Sequence, residues 1–176
     1  MIPLNAFDLD GTLLAGDSFR TLLRRHLDLH LAGLAGARLL GALDRAAFAA
    51  AASRHLAPVL GDAAAMEGFA GELVAALDPA MLALARERAR DGTVTVVLSA
   101  SPEEYVIPLA QRLGFVGVGS GWRDGRYVHC HGEAKRAALV SRYPPDRHRY
   151  QLAVADSASD ESLLGLFAEA IRHRRR

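Results

Sequence analysis

The sequence has little of several features that would assign it to a specialised class of protein. Cys130 is the only cysteine among its 176 residues, so no internal disulfide can form. The apolar stretch at residues 31–43 is interrupted by Arg38 and is too short to span a bilayer. The N-terminus lacks the basic and apolar regions of a secretory signal. A formal net charge of +1 gives no general reason to expect a nucleic-acid or membrane partner. We therefore expect a cytoplasmic globular protein.

Lysine is also nearly absent, because the chain carries twenty arginines and only one lysine, Lys135. In a sequence that uses arginine for nearly every basic position, a remaining lysine indicates a place that requires a compact ammonium group rather than a planar guanidinium. The alternative is that this single lysine is an accident of composition.

Short strands alternate with helices along the chain, except in one long helical segment. Strands are expected at residues 2–7, 93–98, 115–118 and 152–155, with a hairpin at 122–128 that turns at Asp124-Gly125. The helical spacing of Ala and Leu predicts several helices and no strand between residues 19 and 90, and further helices at 102–113, from 133, and after 160. This order predicts an α/β fold with helices inserted after the first strand.

The predicted architecture is a Rossmann-like parallel sheet with a small helical cap. Residues 1–14 and 91–176 would form the α/β core, and residues 15–90 the cap. Ligands of open α/β sheets bind beyond the carboxyl ends of the strands. Asp8, Ser99 and Asp156 each stand immediately after a predicted strand. We therefore expect these three side chains to converge on one crevice.

The residues around these strand ends suit phosphate-ester chemistry. Asp8 and Asp10 lie two positions apart, so an extended chain points both carboxylates to the same side, where they repel unless they share a cation or proton. Oxygen ligands of this kind, supplemented by other acids, suit Mg²⁺. A lysine can offset the charge of phosphoryl oxygens, and a serine hydroxyl or turn amides can donate to them. The candidate groups are Asp8, Asp10, Gly11, Ser99, Ala100, Lys135, Asp156 and Asp160.

Four short motifs resemble those of the haloacid dehalogenase superfamily, in that family's order. The first is Phe7-Asp8-Leu9-Asp10-Gly11-Thr12-Leu13, and the second is Ser99 after an apolar strand. Lys135 in Gly132-Glu133-Ala134-Lys135 resembles the third, and Asp156-Ser157-Ala158-Ser159-Asp160 the fourth. The helical insert and Cys130-His131-Gly132 resemble the phosphoserine-phosphatase-like branch. The motifs bracket nearly the whole chain.

The resemblance implies a role for each candidate residue. Asp8 would attack phosphorus and form an aspartyl-phosphate, while Asp10 would protonate the leaving oxygen and then activate water. Mg²⁺ would be held by the Asp8 carboxylate, the Asp10 carbonyl and Asp156, with Asp160 in support behind them. Ser99, Ala100, Gly11 and Lys135 would bind the phosphoryl group. One departure is Ala155, which stands where the family usually has glycine.

Several residues have two open interpretations. Asp17 resembles the acid that meets the substrate's amino group in phosphoserine phosphatases, and Arg45 or Arg54 could then meet the substrate's carboxylate. Asp17 could equally begin a helix of the cap. His129-Cys130-His131 invites a transition-metal interpretation, although the spacing is not that of a usual zinc site. The basic residues 172–176 are expected to form a solvated terminus.

The expected function is Mg²⁺-dependent hydrolysis of a small-molecule phosphomonoester, and a phosphoserine-like compound is the candidate substrate. Two alternatives remain open at this stage. The first is a phosphotransferase or mutase of the same fold, in which another acceptor replaces water. The second is a binding module without catalytic activity.

Overall fold

The structure, a computed structural model, describes residues 1–173. A six-stranded sheet in the order β4-β3-β2-β1-β5-β6 forms its centre, and only β4 is antiparallel to its neighbour. The strands are β1 (Ile2–Asp8), β2 (Val94–Pro102), β3 (Val116–Arg123), β4 (Arg126–Val128), β5 (His148–Ala155) and β6 (Glu169–Arg172). The α/β, Rossmann-like fold predicted from the sequence is therefore confirmed.

The central strands are apolar on both faces because both faces of the sheet are covered. Successive side chains of β1 point to opposite sides, so Leu4 and Ala6 join one apolar cluster and Phe7 joins the other. Val96 and Val97 of β2 divide between the clusters in the same way. Burial on both faces is the reason that β1 and β2 carry uninterrupted apolar runs rather than an alternating pattern.

Nine helices are described in residues 1–173, and six of them follow one another between β1 and β2. They are α1 (Ser18–Arg25), α2 (Leu29–Leu39), α3 (Arg45–His55), α4 (Ala57–Leu60), α5 (Ala63–Ala75) and α6 (Pro79–Arg88). The remaining three are α7 (Glu103–Arg112), α8 (Glu133–Arg142) and α9 (Glu161–Leu164). The prediction of helices without a strand in residues 19–90 is confirmed.

An aspartate begins each long helix of the inserted segment. The five N-cap residues are Asp17, Asp28, Asp44, Asp62 and Asp78, and each side chain accepts a hydrogen bond from a backbone N–H in the first turn. Such a cap typically stabilises a helix by about 1 kcal/mol relative to alanine. These caps separate an Ala-rich segment into distinct helices.

Alternate glycines of β3 allow α7 to lie directly against the sheet. A Cβ atom at Gly117 would stand 2.6 Å from the Ile107 Cα, and one at Gly119 would stand 2.7 Å from the Glu103 Cα. Both contacts are with backbone, which cannot move aside as a flexible side chain can. The glycines are therefore required by the closeness of the helix.

The hairpin is confirmed, since β3 and β4 pair antiparallel through Asp124 and Gly125, whose φ values are 49° and 75°. Two expectations were wrong in detail. Strand β2 continues to Pro102 because Pro102 still pairs with Ser120, and α7 begins only at Glu103.

The helix predicted after residue 160 is present but short, and the strand that follows it was not predicted. The chain forms a 3₁₀ turn at Ala158–Asp160, the four-residue α9, and then β6, an edge strand that pairs parallel with β5. Arg172 ends β6, and the last three residues of the expected basic terminus, 174–176, lie outside the described residues.

The inserted helices share their apolar core with the sheet. Phe69 of α5 packs edge-on against Tyr105 of α7, with ring centroids 5.0 Å apart, and both belong to the cluster that contains Phe7. The division into a core and a cap at residues 15–90 remains a prediction. None of the helices described in residues 1–173 is long and apolar enough to cross a membrane.

Candidate active site

The carboxyl ends of β1, β2 and β5 open into a cavity of about 440 Å³. Six of the candidate residues line it, and they come from four separate segments of the chain. They are Asp8, Asp10, Ala100, Lys135, Asp156 and Asp160. Of the three strand-end residues expected to converge, Asp8 and Asp156 line the cavity and Ser99 does not. The sheet brings these distant segments together.

Lys135 lies between two carboxylates at the bottom of the cavity. Its Nζ is 2.7 Å from Asp8 Oδ1 and 3.0 Å from Asp160 Oδ2, and its side chain is only 3% exposed. Gly132, with φ of 56°, turns the chain immediately before α8, and Lys135 stands in the first turn of that helix. Burial alone would lower the pKa of Lys135, but the charges and hydrogen bonds of Asp8 and Asp160 outweigh it and raise the pKa. The lysine is thus held as a cation.

Asp8 is buried beside this single cation, which it shares with Asp160. Burial raises the pKa of Asp8 from 3.8 to about 7, against the opposing effect of Lys135, and the nearby charges of Asp160 and Asp10 raise it further. The Thr12 hydroxyl donates to Asp8 Oδ2 at 3.3 Å. Two buried carboxylates around one ammonium leave an excess of negative charge, so another cation near Asp8 would favour its ionised form.

Asp10 is fixed by three hydrogen bonds. The backbone N–H of Ser18 donates to its Oδ1 at 2.6 Å. The hydroxyls of Ser99 and Ser101 donate to its Oδ2 at 2.9 and 2.7 Å. The Ser99 hydroxyl also accepts from the Ser101 N–H at 3.0 Å, and Ser99 is fully buried. In this structure Ser99 therefore engages Asp10 rather than lining the cavity.

A buried chain of hydroxyls continues from Asp10 to Tyr105. Ser18 Oγ is 3.0 Å from Ser101 Oγ and 3.1 Å from Tyr105 Oη. Because the only hydroxyl hydrogen of Ser101 is donated to Asp10, Ser18 must donate to Ser101, and Tyr105 must donate to Ser18. Burial raises the pKa of Tyr105 well above its usual value, and the Asp10 charge adds to this, so Tyr105 keeps its proton. This series of hydrogen-bonded hydroxyls holds the Asp10 carboxylate in one orientation.

The backbone groups expected to meet phosphate differ in their surroundings. Gly11 has φ of 90°, in the left-handed region that favours glycine, and its N–H donates to the Leu14 carbonyl at 2.7 Å. Ala100 lines the cavity, and its carbonyl accepts a hydrogen bond from the buried Ser120 hydroxyl at 2.7 Å. Gly11 thus shapes the turn after Asp10, whereas Ala100 lies at the cavity surface.

The residues at this site fit a hard divalent cation. Asp160 Oδ1 is buried and has no hydrogen-bond partner among the described residues, and burial disfavours the charge of Asp8. In residues 1–173 there is no group of three or more His, Cys, Asp or Glu side chains arranged to hold a metal ion. The ligand set expected here needs only the side chains of Asp8 and Asp156 and the Asp10 carbonyl. These oxygens have the chemistry that Mg²⁺ prefers.

Three residues of the inserted segment were named as candidates for substrate binding, and two of them line the cavity. Asp17 lines it and at the same time caps α1, accepting from the Arg20 N–H at 2.8 Å. Arg45 also lines it, with Nη1 3.1 Å from His131 Nε2. The guanidinium of Arg54 instead lies over the Trp122 ring, 4.7 Å from its centroid. Of the two candidate arginines, only Arg45 is positioned beside the site.

His129 and His131 line the cavity, whereas Cys130 between them is buried. The two imidazole rings stack at 5.4 Å with an interplanar angle of 9°. Burial lowers the pKa of His129 to about 4, and the neighbouring charges of His131 and Arg45 lower it further. Burial also raises the pKa of the Cys130 thiol to about 11. In the part of the chain that the structure describes, these residues belong to no group of three or more His, Cys, Asp or Glu side chains that could hold a metal ion.

Three residues that position Asp10 through hydrogen bonds were not predicted from the sequence: Ser18, Ser101 and Tyr105. Ser101 had a signal, because it lies two positions after Ser99 in an extended chain and therefore points to the same side. Ser18 and Tyr105 had none. They meet only because α1 and α7 pack together around the ends of β1 and β2.

Solved structures share this fold at low sequence identity. A protein of unknown function from Bordetella pertussis Tohama I is 22% identical, with a TM-score of 0.71 over 97% of this chain and 89% of that one. A phosphoserine phosphatase from T. onnurineus is 18% identical, with a TM-score of 0.55 over 98% and 84% of the two chains. These likenesses support the fold.

A longer structural relative is a HAD family hydrolase from Salmonella enterica serovar Typhi. It is 17% identical, with a TM-score of 0.64 over 94% of this chain and 60% of that one, so the present chain spans less than two thirds of its length. No curated protein matches the sequence at a significant level.

The sequence itself matches a family across most of its length. The matched region, residues 6–165, extends from the strand that carries Asp8 to the helix after Asp160. It includes all four motifs and the helices inserted between the first two. The chain belongs to the haloacid dehalogenase-like hydrolases.

Proposed function

We propose that this protein hydrolyses a small phosphorylated metabolite, with Asp8 as the nucleophile and an aspartyl-phosphate as the intermediate. The observation that carries the proposal is the placement of Asp8 against Lys135, with Asp10 in the same cavity. Family membership in the haloacid dehalogenase-like hydrolases supports hydrolysis. The likeness in fold to phosphoserine phosphatases supports a phosphate ester as the substrate.

In the first step, an Asp8 carboxylate oxygen attacks phosphorus, and the bond between phosphorus and the ester oxygen breaks. Asp10 gives its proton to the departing oxygen, which leaves as an alcohol. Lys135 offsets the charge of the phosphoryl oxygens and also favours the ionised form of Asp8 that attacks. Ser99 and Ser101 hold the Asp10 carboxylate in one orientation, so that its proton is delivered at a fixed position.

In the second step, water attacks the phosphorus of the aspartyl-phosphate. Asp10, now ionised, takes the proton of that water, and inorganic phosphate leaves while the Asp8 carboxylate is regenerated. Mg²⁺ bound by the Asp8 carboxylate, the Asp10 carbonyl and Asp156 would neutralise negative charge on the transferring phosphoryl group. Asp160 supports this arrangement by holding Lys135.

The test is hydrolysis of a generic aryl phosphate by the parent and by Asp8→Asn. The variant is expected to fold and to lose turnover, whereas Asp91→Asn, an exposed change in a distant turn, should retain it. Chelation should stop hydrolysis and Mg²⁺ should restore it. Activity of Asp8→Asn within tenfold of the parent, or restoration by zinc alone, would contradict the proposal.

The alternative acceptor is tested in ¹⁸O-labelled water. Hydrolysis places the label in the released inorganic phosphate, whereas a phosphotransferase or mutase leaves phosphate on a second organic molecule. A folded protein without any turnover over a broad substrate panel would favour the binding module. The inserted helices contribute Phe19, Arg45 and Phe48 to the lining of the cavity, which also supports small substrates. We therefore expect kcat/KM to be higher for phosphorylated metabolites than for phosphoproteins or nucleic acids.

A further inference from the structure

A second cavity, of about 380 Å³, lies between three helices of the inserted segment. Side chains from α1, α2 and α3 line it, and most of them are apolar. The apolar members are Phe19, Leu23, Leu27, Leu31, Ala35 and Phe48. We call this cavity the apolar slot.

The apolar slot adjoins the catalytic cavity. Asp17, Phe19 and Phe48 line both, so the two cavities meet at these three residues. The catalytic cavity is charged, because Asp8, Asp10 and Lys135 also line it. A ligand that crosses this boundary would therefore place a charged end against Lys135 and its remaining part among phenylalanine and leucine side chains.

The lining of the apolar slot does not suit a polar leaving group. Among the described residues that line it, only Asp17, Arg20 and Arg24 are polar, and Asp17 Oδ1 already accepts the Arg20 N–H. An amino-acid or sugar group would lose hydrogen bonds to water in such a place without recovering them. A hydrocarbon chain instead displaces water from the apolar side chains, and the favourable free energy is roughly proportional to the apolar area that it buries.

The slot also has an open end. Leu27 lines it and is 62% exposed, and the arginines of α1 that line it are exposed as well. A chain longer than the slot can therefore project past Leu27 into solvent without a steric conflict. A leaving group of variable length can be accepted, provided that its first part is apolar.

We infer that the substrate is an amphiphilic phosphomonoester, whose phosphate enters the catalytic cavity and whose alkyl or acyl chain occupies the apolar slot. This inference rests on the proposed phosphatase function and specifies its substrate class. The occupant of the slot is thus the leaving group of the reaction itself. Phosphoserine, which has no hydrocarbon chain, would leave the slot unfilled.

The experiment compares butyl, hexyl and octyl phosphate, which share a primary alkoxide leaving group and so have similar intrinsic reactivity. Released phosphate is measured below micelle-forming concentrations. Full burial of a methylene corresponds to about fourfold in kcat/KM. For a slot that is open at one end we expect at least about tenfold between butyl and octyl phosphate. Equal kcat/KM across the series, or a decrease with length, would overturn the inference.

Binding of the matching alkylphosphonates separates this inference from the proposed function, because a C–P bond cannot be hydrolysed by this chemistry. Calorimetry should show tighter binding with increasing chain length whether or not any ester is turned over. Chain-length-dependent binding without hydrolysis would contradict the phosphatase proposal alone. Hydrolysis of aryl phosphates with no chain-length effect in either assay would contradict the slot alone.

Two variants and one control locate the effect. Leu23→Gln, inside the slot, should reduce the octyl-to-butyl ratio of kcat/KM, and Leu27→Gln at the open end should reduce it less. If Leu23→Gln does not fold, Leu27→Gln still carries the test. Leu40→Gln is the matched control, since Leu40 is 87% exposed and does not line either cavity, and it should leave the ratio unchanged. A ratio that falls equally in all three variants would overturn the assignment.

Discussion

Replacement of Lys135 by arginine tests whether the single lysine is required for its shape as well as its charge. The ammonium nitrogen has carboxylate oxygens at 2.7 and 3.0 Å and almost no exposure to solvent. A guanidinium is wider and holds its donors in one plane, so it must displace Asp8, Asp160 or the phosphoryl group. A displacement of about 1 Å costs on the order of a hundredfold in rate when attack must be in line.

We therefore expect Lys135→Arg to lose at least about tenfold in kcat/KM, which corresponds to roughly 1.4 kcal/mol of transition-state stabilisation. The assay is steady-state hydrolysis of the best substrate at saturating Mg²⁺, with a thermal melt in parallel. Arg136→Lys is the matched control, because Arg136 is the next residue of α8 and its side chain is 43% exposed. The control should retain the activity of the parent.

Lys135→Met separates charge from shape by removing the cation while keeping a similar length. It leaves Asp8 and Asp160 buried without their shared partner, which typically costs about 3–5 kcal/mol of stability. The melting temperature should therefore fall in chelator and recover in part with Mg²⁺. Equal activity of the arginine variant and the parent would refute the argument and leave Lys135 as an accident of composition.

Three further predictions concern stability and the orientation of Asp10. Because the pKa of Asp8 is raised to about 7, the stability that its protonated form contributes is present below about pH 4 and is lost as pH rises to 7. In chelator, the melting temperature of Asp8→Asn minus that of the parent should accordingly grow between pH 5 and 8, and a constant difference would contradict the shift. Gly117→Ala should cost about 1 to 3 kcal/mol in denaturant unfolding, because its Cβ meets α7 backbone, whereas Gly33→Ala in open space should gain up to about 1 kcal/mol. Ser101→Ala removes a 2.7 Å hydrogen bond to Asp10 and should lower kcat by about tenfold with KM nearly unchanged; a rise in KM with kcat unchanged would indicate a role in substrate binding instead.

The groups at the strand ends were accessible from the sequence because each follows a short apolar run. Asp8 is the last residue of β1 and Asp156 directly follows β5, and central strands buried on both faces read as continuous apolar segments. Strand β6 was not accessible, since Glu169–Arg172 has one strongly apolar residue and pairs through its backbone at the edge of the sheet. Backbone hydrogen bonds of this kind do not require a particular side-chain pattern, so the sequence of β6 does not indicate a strand.

The difference between local sequence features and tertiary packing also explains how much of the inserted helices could be predicted. Helical spacing of apolar residues is a local feature, and it sufficed to predict helices in residues 19–90 without a strand. The boundary between cap and core is a matter of packing, and Phe69 of α5 packs on Tyr105 of the core. No local pattern predicts which element a helix packs against, because packing on the core and packing on another inserted helix require the same apolar face.

The sequence alone determined the α/β class, the order of the motifs and the acidic and basic residues that meet in the cavity, because each depends on residues close together in the chain. Only the tertiary structure decided that Lys135 is shared by Asp8 and Asp160, that Ser99 holds Asp10, and that Arg45 rather than Arg54 reaches the site. These are distances between segments far apart in sequence, and they are set by how α1, α3 and α8 pack around the ends of the strands.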